Sequence, residues 1–311
     1  MGSPRSRKSF ASRRTSRDSE SVHCVAVIPA HGAERTIENT ILALRADADT
    51  APERIVVVAS PADGTAAMAE RLGAEAIRTS LRLSAGAARN CGRHAAPEAD
   101  LLLFVDADCA LAPGALRALR SAVLERGLDV AGASVVPEPA TGVAWVRHLL
   151  EFKDAEPGCA PPWPAMVPSA TILCRAAAFD AVGGFPDMWP GEDLIFCARL
   201  LRSGFRVRRV DDAVTVHHHP PGVVAMLRHQ FVLGRTSARA RRSEAMDDSR
   251  YATSVAVVPL LFAGRALRAL RWLARYHRRD LPRFVALSPL YLVGLAVWCA
   301  GFGRGAAETA S

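Results

Sequence analysis

The sequence predicts an α/β protein: a doubly wound sheet followed by a separate C-terminal helical segment. Three observations carry this. From Val22 to Gly127, short apolar strand patterns alternate with helical ones, as in a sheet covered by helices on both faces. One strand, Leu101 to Val105, is five consecutive apolar residues, the mark of burial on both faces. Near the C-terminus, Phe284 to Phe302 is an uncharged run of 19 residues, long enough to cross a bilayer.

The elements follow in order. Val25 to Ile28 is a strand ended by Pro29, and Thr36 to Leu44 a helix. Ile55 to Val58 is a strand. Thr65 to Leu72 is a helix closed by Gly73, and Ala76-Ile77 a short strand. Ser84 to Ala96 is helical, stopped before Pro97. After the 101–105 strand, Pro113 to Arg126 forms a helix with Pro in its first turn and Gly127 just past its end. Glu156 to Pro168 holds five prolines and reads as a loop over a site. Leu194 to Arg202 is a helix ended by Gly204, and Val214 to His219 a strand.

The chain has 311 residues, 50% of them hydrophobic, with a mean hydropathy of +0.11. Apolar content this high places part of the surface against lipid. The net charge of +8 is uneven. Residues 1–21 carry +4, residues 228–242 +5 and residues 265–283 +6, which leaves −7 for the rest. A core that nets negative argues against nucleic acid as a partner. Two of the basic clusters flank apolar C-terminal segments, where anionic lipid headgroups explain them. In the last of these, Arg265, Arg268, Arg271 and Arg275 recur at helical spacing between leucines and Trp272, an interfacial amphipathic pattern. The expectation is an in-plane or re-entrant 254–279 followed by one membrane span, with a two-span hairpin as the alternative. The seven cysteines form no C-x-x-C pair, which suits reduced core residues. Residues 1–21 are polar, basic and aperiodic and are expected to be disordered.

The chemistry begins at Asp106-Ala107-Asp108, directly after the 101–105 strand. Alternation puts the two carboxylates on one side. The carboxyl end of a buried parallel strand is where open α/β sheets bind ligands. Like charges this close call for a cation between them, and a hard divalent ion bridging to phosphate oxygens is the natural one. Glu192 and Asp193 open an apolar helix, whose dipole favours their ionised forms. In His217-His218-His219, alternation lets His217 and His219, but not all three, meet one ion.

Four segments occur in a telling order: Val27-Ile28-Pro29-Ala30-His31-Gly32-Ala33-Glu34; Gly86-Ala87-Ala88-Arg89-Asn90-Cys91-Gly92; Phe104-Val105-Asp106-Ala107-Asp108; and Gly183-Gly184-Phe185-Pro186 with Gly191-Glu192-Asp193-Leu194, Arg199, Gly204 and Val216 to Pro220. Together they resemble a family 2 glycosyltransferase of the GT-A fold, over roughly residues 22–235. The resemblance implies a membrane-associated, non-processive enzyme that inverts at the anomeric carbon, with a nucleotide-sugar donor and a divalent metal, Mn2+ or Mg2+. It implies Asp193 as general base and Glu192 as the residue that orients the acceptor. Asp108 would bind the metal, Asp106 the ribose or the metal, and His217 a third metal position, with His219 as its neighbour. Arg89 would add positive charge near the phosphates. Pro29, Ala30, Glu34, Ser60 and Asp63 would frame the nucleotide, and Gln230 and Arg235 would contact acceptor or diphosphate.

The chain departs from the pattern after the second strand, where Ala59 to Thr65 lacks the paired acids that read the base. UDP is the default nucleotide and GDP the alternative. Residues 236–311 are expected to hold the amphipathic and transmembrane helices, with the catalytic domain on the cytoplasmic face and a lipid or lipid-linked glycan as acceptor. Two other readings stay open. A catalytically silent, membrane-bound nucleotide-binding protein would fit the weakened base loop. A sugar nucleotidyltransferase would need a glycine-rich loop with a basic residue after the first strand, where this chain has His31-Gly32-Ala33-Glu34.

Overall fold

The structure is a computed structural model; it describes residues 22–61, 64–138, 142–159, 166–220, 222–244 and 254–308. Asp63 and the 1–21 tail lie outside them. The N-terminal half alternates as expected: β1 (Cys24–Ala30), α1 (Ile37–Arg45), β2 (Arg54–Ala59), α2 (Thr65–Arg71), β3 (Glu75–Arg78), α3 (Ala85–His94), β4 (Leu101–Val105), β5 (Cys109–Leu111) and α4 (Ala115–Leu124). There follow β6 (Val130–Pro137), α5 (Gly142–Glu151), β7 (Thr171–Arg175), α6 (Ala176–Ala181), α7 (Glu192–Arg202) and β8 (Val207–His217). The chain closes with α8 (Val223–Ser243), α9 (Val258–Tyr276) and α10 (Leu281–Ala307). Pro113 precedes the helix rather than opening it, because Gly114 takes the N-cap in the left-handed region.

Eight strands form one mixed sheet in the order β3-β2-β1-β4-β7-β6-β8-β5. The first four are parallel, and β7 runs antiparallel to both β4 and β6. The sheet is buried on both faces, as β4 illustrates. Leu101, Leu103 and Val105 pack with Ile41 of α1 and Leu119 of α4, while Leu102 and Phe104 pack on the other side with Phe179 of α6 and Phe196 of α7. Burial of a side chain such as Phe104 contributes about 1.5–3 kcal/mol. All seven cysteines are free.

A third apolar cluster joins α5, α8, α9 and α10 around Trp145, Met226, Trp272, Leu295, Trp298 and Phe302. Residue 235, the expected domain boundary, falls inside α8, which continues without interruption to Ser243. α8 therefore belongs both to the α/β domain and to the C-terminal helices. Arg278–Ala307 is long and apolar enough to cross a membrane, with a mean hydropathy of 1.8 over its most apolar window.

Candidate active site

The carboxyl ends of β1, β2 and β4 open into a cavity of about 760 Å³. Pro29 and Ala30 line it from β1, Ser60 from the end of β2, and Asp106 and Asp108 from the turn after β4. These five were expected from sequence. The carboxylates sit on a turn closed by the Cys109 N–H donating to the Asp106 carbonyl at 3.0 Å, rather than on a continued strand. All three residues of the turn line the cavity, and Ala107 also packs on the core of the α1/α4 face.

The sequence reading missed Arg35, Thr79, Arg82, Ser84 and Trp189, which complete the walls. Arg35 stands one residue beyond the acidic loop after β1, so a basic residue is present there after all. Arg82 follows β3 in an exposed loop, and its only sequence signal was its charge. Glu34 does not line the cavity. Its carboxylate accepts the Gly64 N–H at 2.9 Å and ties the loop after β1 to the start of α2.

Arg89 is also placed differently from expectation. It is 1% exposed and does not line the cavity. Its guanidinium donates to Asp106 at 2.5 Å, to Glu192 at 2.6 Å and to the Ser169 hydroxyl at 3.0 Å, and lies over the Phe185 ring at 5.0 Å. Ser169 in turn donates its hydroxyl to Glu192 at 3.2 Å and its backbone N–H to Asp193 at 3.3 Å. The acids at residues 106, 192 and 193 are thus one network. Burial pushes the Asp106 carboxyl up to about 6, against the pull of Arg89. Burial, helped by the Glu192 charge, pushes Asp193 up to about 7, so the helix dipole does not prevail there.

Local glycines explain the close approach of these segments. Asn90 of α3 donates to the Phe185 carbonyl at 2.8 Å and accepts the Phe185 N–H at 3.0 Å. A Cβ on Gly184 would stand 2.6 Å from Asn90 Oδ1, and one on Gly86 would stand 1.9 Å from the Pro186 carbonyl oxygen. Only glycine lets the second and fourth sequence segments close on each other. Gly191, at φ +102, then turns the chain into α7 and presents Glu192 and Asp193.

Pairing of β5 with β8 sets His217 opposite Cys109, and the His218 N–H donates to the Asp108 carbonyl at 2.9 Å. Asp108, Cys109 and His217 bring one potential ligand atom each to within 4.8 Å of one another. His217 Nε2 and Asp108 Oδ1 are 3.7 Å apart, too far for a hydrogen bond and close to the ~3–4 Å that separates two ligands of one small cation. His217 Nδ1 is buried with no hydrogen-bond partner among the described residues. The site fits a divalent ion on Asp108 and His217. His219 is not in this group, because β8 ends at His217 and strand alternation does not carry beyond it. Its ring stacks on His217 at 4.2 Å, and its Nε2 lies 3.4 Å from His148 Nδ1. Gln230 and Arg235 are also elsewhere. On α8, Gln230 donates to Glu151 at 2.7 Å, and Arg235 donates to Glu308 at 2.7 Å.

The signature described as glycosyl transferase family 2 matches residues 25–182, half of the chain. The chain belongs to this family. Its fold is that of the GT-A class. The pre-mycofactocin glycosyltransferase of Mycobacterium tuberculosis is 30% identical over 215 residues, 67% of this chain and 43% of that protein. The family 2 chain thus spans less than half the length of the curated relatives it matches. Among solved structures, the mannosyltransferase PcManGT of Pyrobaculum calidifontis, in complex with GDP-Man and Mn2+, superposes with a TM-score of 0.56 at 17% identity, covering 88% of this chain and 86% of that one. TarS 1–349 of S. aureus with UDP-GlcNAc gives 0.51 at 15% identity, covering 91% and 90%. At such identities the likeness is one of fold.

Proposed function

We propose that the enzyme moves one sugar from a nucleoside-diphosphate donor to an acceptor hydroxyl, with inversion, at the cytoplasmic face of a membrane. The observation that carries this is the shared network of Arg89, which bonds Glu192 and the cavity-lining Asp106 directly and reaches Asp193 through Ser169. In this reading the nucleotide lies over the ends of β1 and β2, against Pro29, Ala30 and Ser60. Arg35 and Arg82 bind the diphosphate. Asp108 and His217 would hold a divalent cation, Mn2+ or Mg2+, which when bound offsets charge on the departing diphosphate as a Lewis acid.

Asp193, raised to about 7, is poised to take the acceptor proton near neutral pH. The acceptor oxygen forms its bond to the anomeric carbon as the bond to the diphosphate breaks and that electron pair leaves with phosphate. Glu192, held by Arg89 and Ser169, orients the acceptor. The Gln-x-x-Arg-Trp signature of processive synthases is absent from the sequence, which supports single transfer. A lipid or lipid-linked glycan suits a site beside apolar C-terminal helices. An acceptor of the pre-mycofactocin kind is the second reading, favoured by the sequence relative.

Thermal stability with UDP, GDP, dTDP and CDP, each with and without Mn2+, tests the donor site. A metal-dependent rise with one diphosphate, lost in Asp108→Ala, is the expected result and names the base. No rise with any of them in folded protein would leave a silent scaffold as the better reading.

A further inference from the structure

We infer that α9 and α10 lie in the plane of a single anionic leaflet, so that α10 rests on the membrane rather than crossing it. This rests on the membrane reading above and replaces the single span expected from sequence.

The inner face of α10 is committed to α8. A Cβ on Gly301 would stand 2.0 Å from the Phe231 carbonyl oxygen, one on Gly305 2.3 Å from that of Arg235, and one on Gly234 2.0 Å from that of Trp298. The two backbones therefore touch, and the register shows them running side by side in the same direction. α8 is no bilayer helix. Along this stretch it carries Arg228, Arg235, Arg239, Arg241 and Arg242. Arg235 and Arg239 pair with Glu308 just past the end of α10, and Arg242 donates to the Ala306 carbonyl at 2.9 Å. A spanning α10 would drag this charged partner into hydrocarbon, where arginine is costly.

α8 is also fixed to the catalytic site. The His229 ring lies 5.2 Å from that of Trp189, a cavity wall, and Gln230 bonds Glu151 of α5. The site and α10 are thus held at opposite sides of one helix.

The outer faces need a cover. α10 presents Val285 (69% exposed), Leu292, Val293 and Ala296, an uncharged stripe, and α9 presents Leu260 (75% exposed), Leu267 and Leu270. Exposed Arg271, Arg275, Arg278 and Arg279 border the far end of α9 and its link to α10, and Arg304 the end of α10. Apolar stripes edged with arginine match the acyl boundary and phosphates of an anionic leaflet.

The test uses the full chain and sealed vesicles of phosphatidylglycerol and phosphatidylcholine. Flotation is expected with these vesicles and less with phosphatidylcholine alone, and a Leu260→Ser/Val285→Ser variant should bind roughly tenfold more weakly or worse. Cysteines introduced as Arg279→Cys and Ala307→Cys mark the two ends of α10, with the native protein as the labelling background. Both are expected to react at comparable rates with a membrane-impermeant maleimide added outside the vesicles. Protection of one end until detergent is added would overturn the in-plane seating and leave the membrane reading standing. Absence of flotation would overturn both, and a dimer in sedimentation would then identify a second copy as the cover.

Discussion

The Arg89 guanidinium and the Glu192 carboxylate meet at 2.6 Å with both side chains almost wholly buried. The same arginine reaches Asp106, so one positive charge serves two acids 86 residues apart in the chain. Arg89→Met should leave two carboxylates without their counter-charge, at a cost of roughly 3–5 kcal/mol in urea unfolding. Arg89→Lys keeps the charge, loses the fork and should fall between. Stability equal to the native protein in Arg89→Met would show that the network is not structural.

Asp193→Asn should lower kcat roughly 10²- to 10⁴-fold and leave nucleotide binding intact. The sign of its stability effect is also fixed. A carboxyl raised from 3.8 to about 7 on folding favours the folded state below pH 3.8, and that contribution is lost as pH rises to 7. At pH 8 the asparagine variant should therefore melt higher than the native enzyme, and at pH 4 it should not. The native rate should climb with pH through about 7. A flat profile over that range would remove Asp193 from the role of base.

Arg35→Ala and Arg82→Ala should each weaken diphosphate binding by about tenfold or more, since each removes a charge-assisted contact. Calorimetry with UDP and uridine separates the causes. Loss confined to the diphosphate supports direct contact, whereas equal loss for both would mean a distorted cavity.

Two helical glycines, one in the α8–α10 seam and one outside it, give opposite outcomes. Gly301→Ala meets backbone at 2.0 Å and should destabilise the helix pair by roughly 1–3 kcal/mol, seen as faster proteolysis after Ser243. Gly264→Ala on α9 meets nothing within 4 Å and should raise stability by up to ~1 kcal/mol through helix propensity. Equal effects at both sites would show that α8 and α10 do not touch as described.

Much of the fold was legible because local signals govern it. The apolar run at 101–105, with alternate residues facing opposite cores, had to be a central strand, and Gly127 had to end a helix. The lining of the cavity was partly legible for the same reason, since Pro29, Ala30, Ser60, Asp106 and Asp108 all sit at strand ends. What the sequence could not express was partnership across the chain. Arg89 read as a phosphate ligand because nothing local reveals partners at 106 and 192. Ser169, which holds both Glu192 and Asp193, is a loop residue with no pattern around it. Gln230 and Arg235 sit on α8, a helix the sequence reading did not assign, and its phase turns them toward Glu151 and Glu308.

α8 has a consequence for acceptor choice. In the in-plane seating inferred above, with the cavity on one side of α8 and α10 on the other, the reacting centre would stand above the leaflet under α10 by at least one interhelix spacing, roughly 8–10 Å. A series of acceptors with lengthening spacers between lipid and hydroxyl should show an optimum rather than a plateau. Selection would then be by reach: the enzyme gauges how far a hydroxyl projects from the bilayer before any contact reads which sugar or lipid bears it.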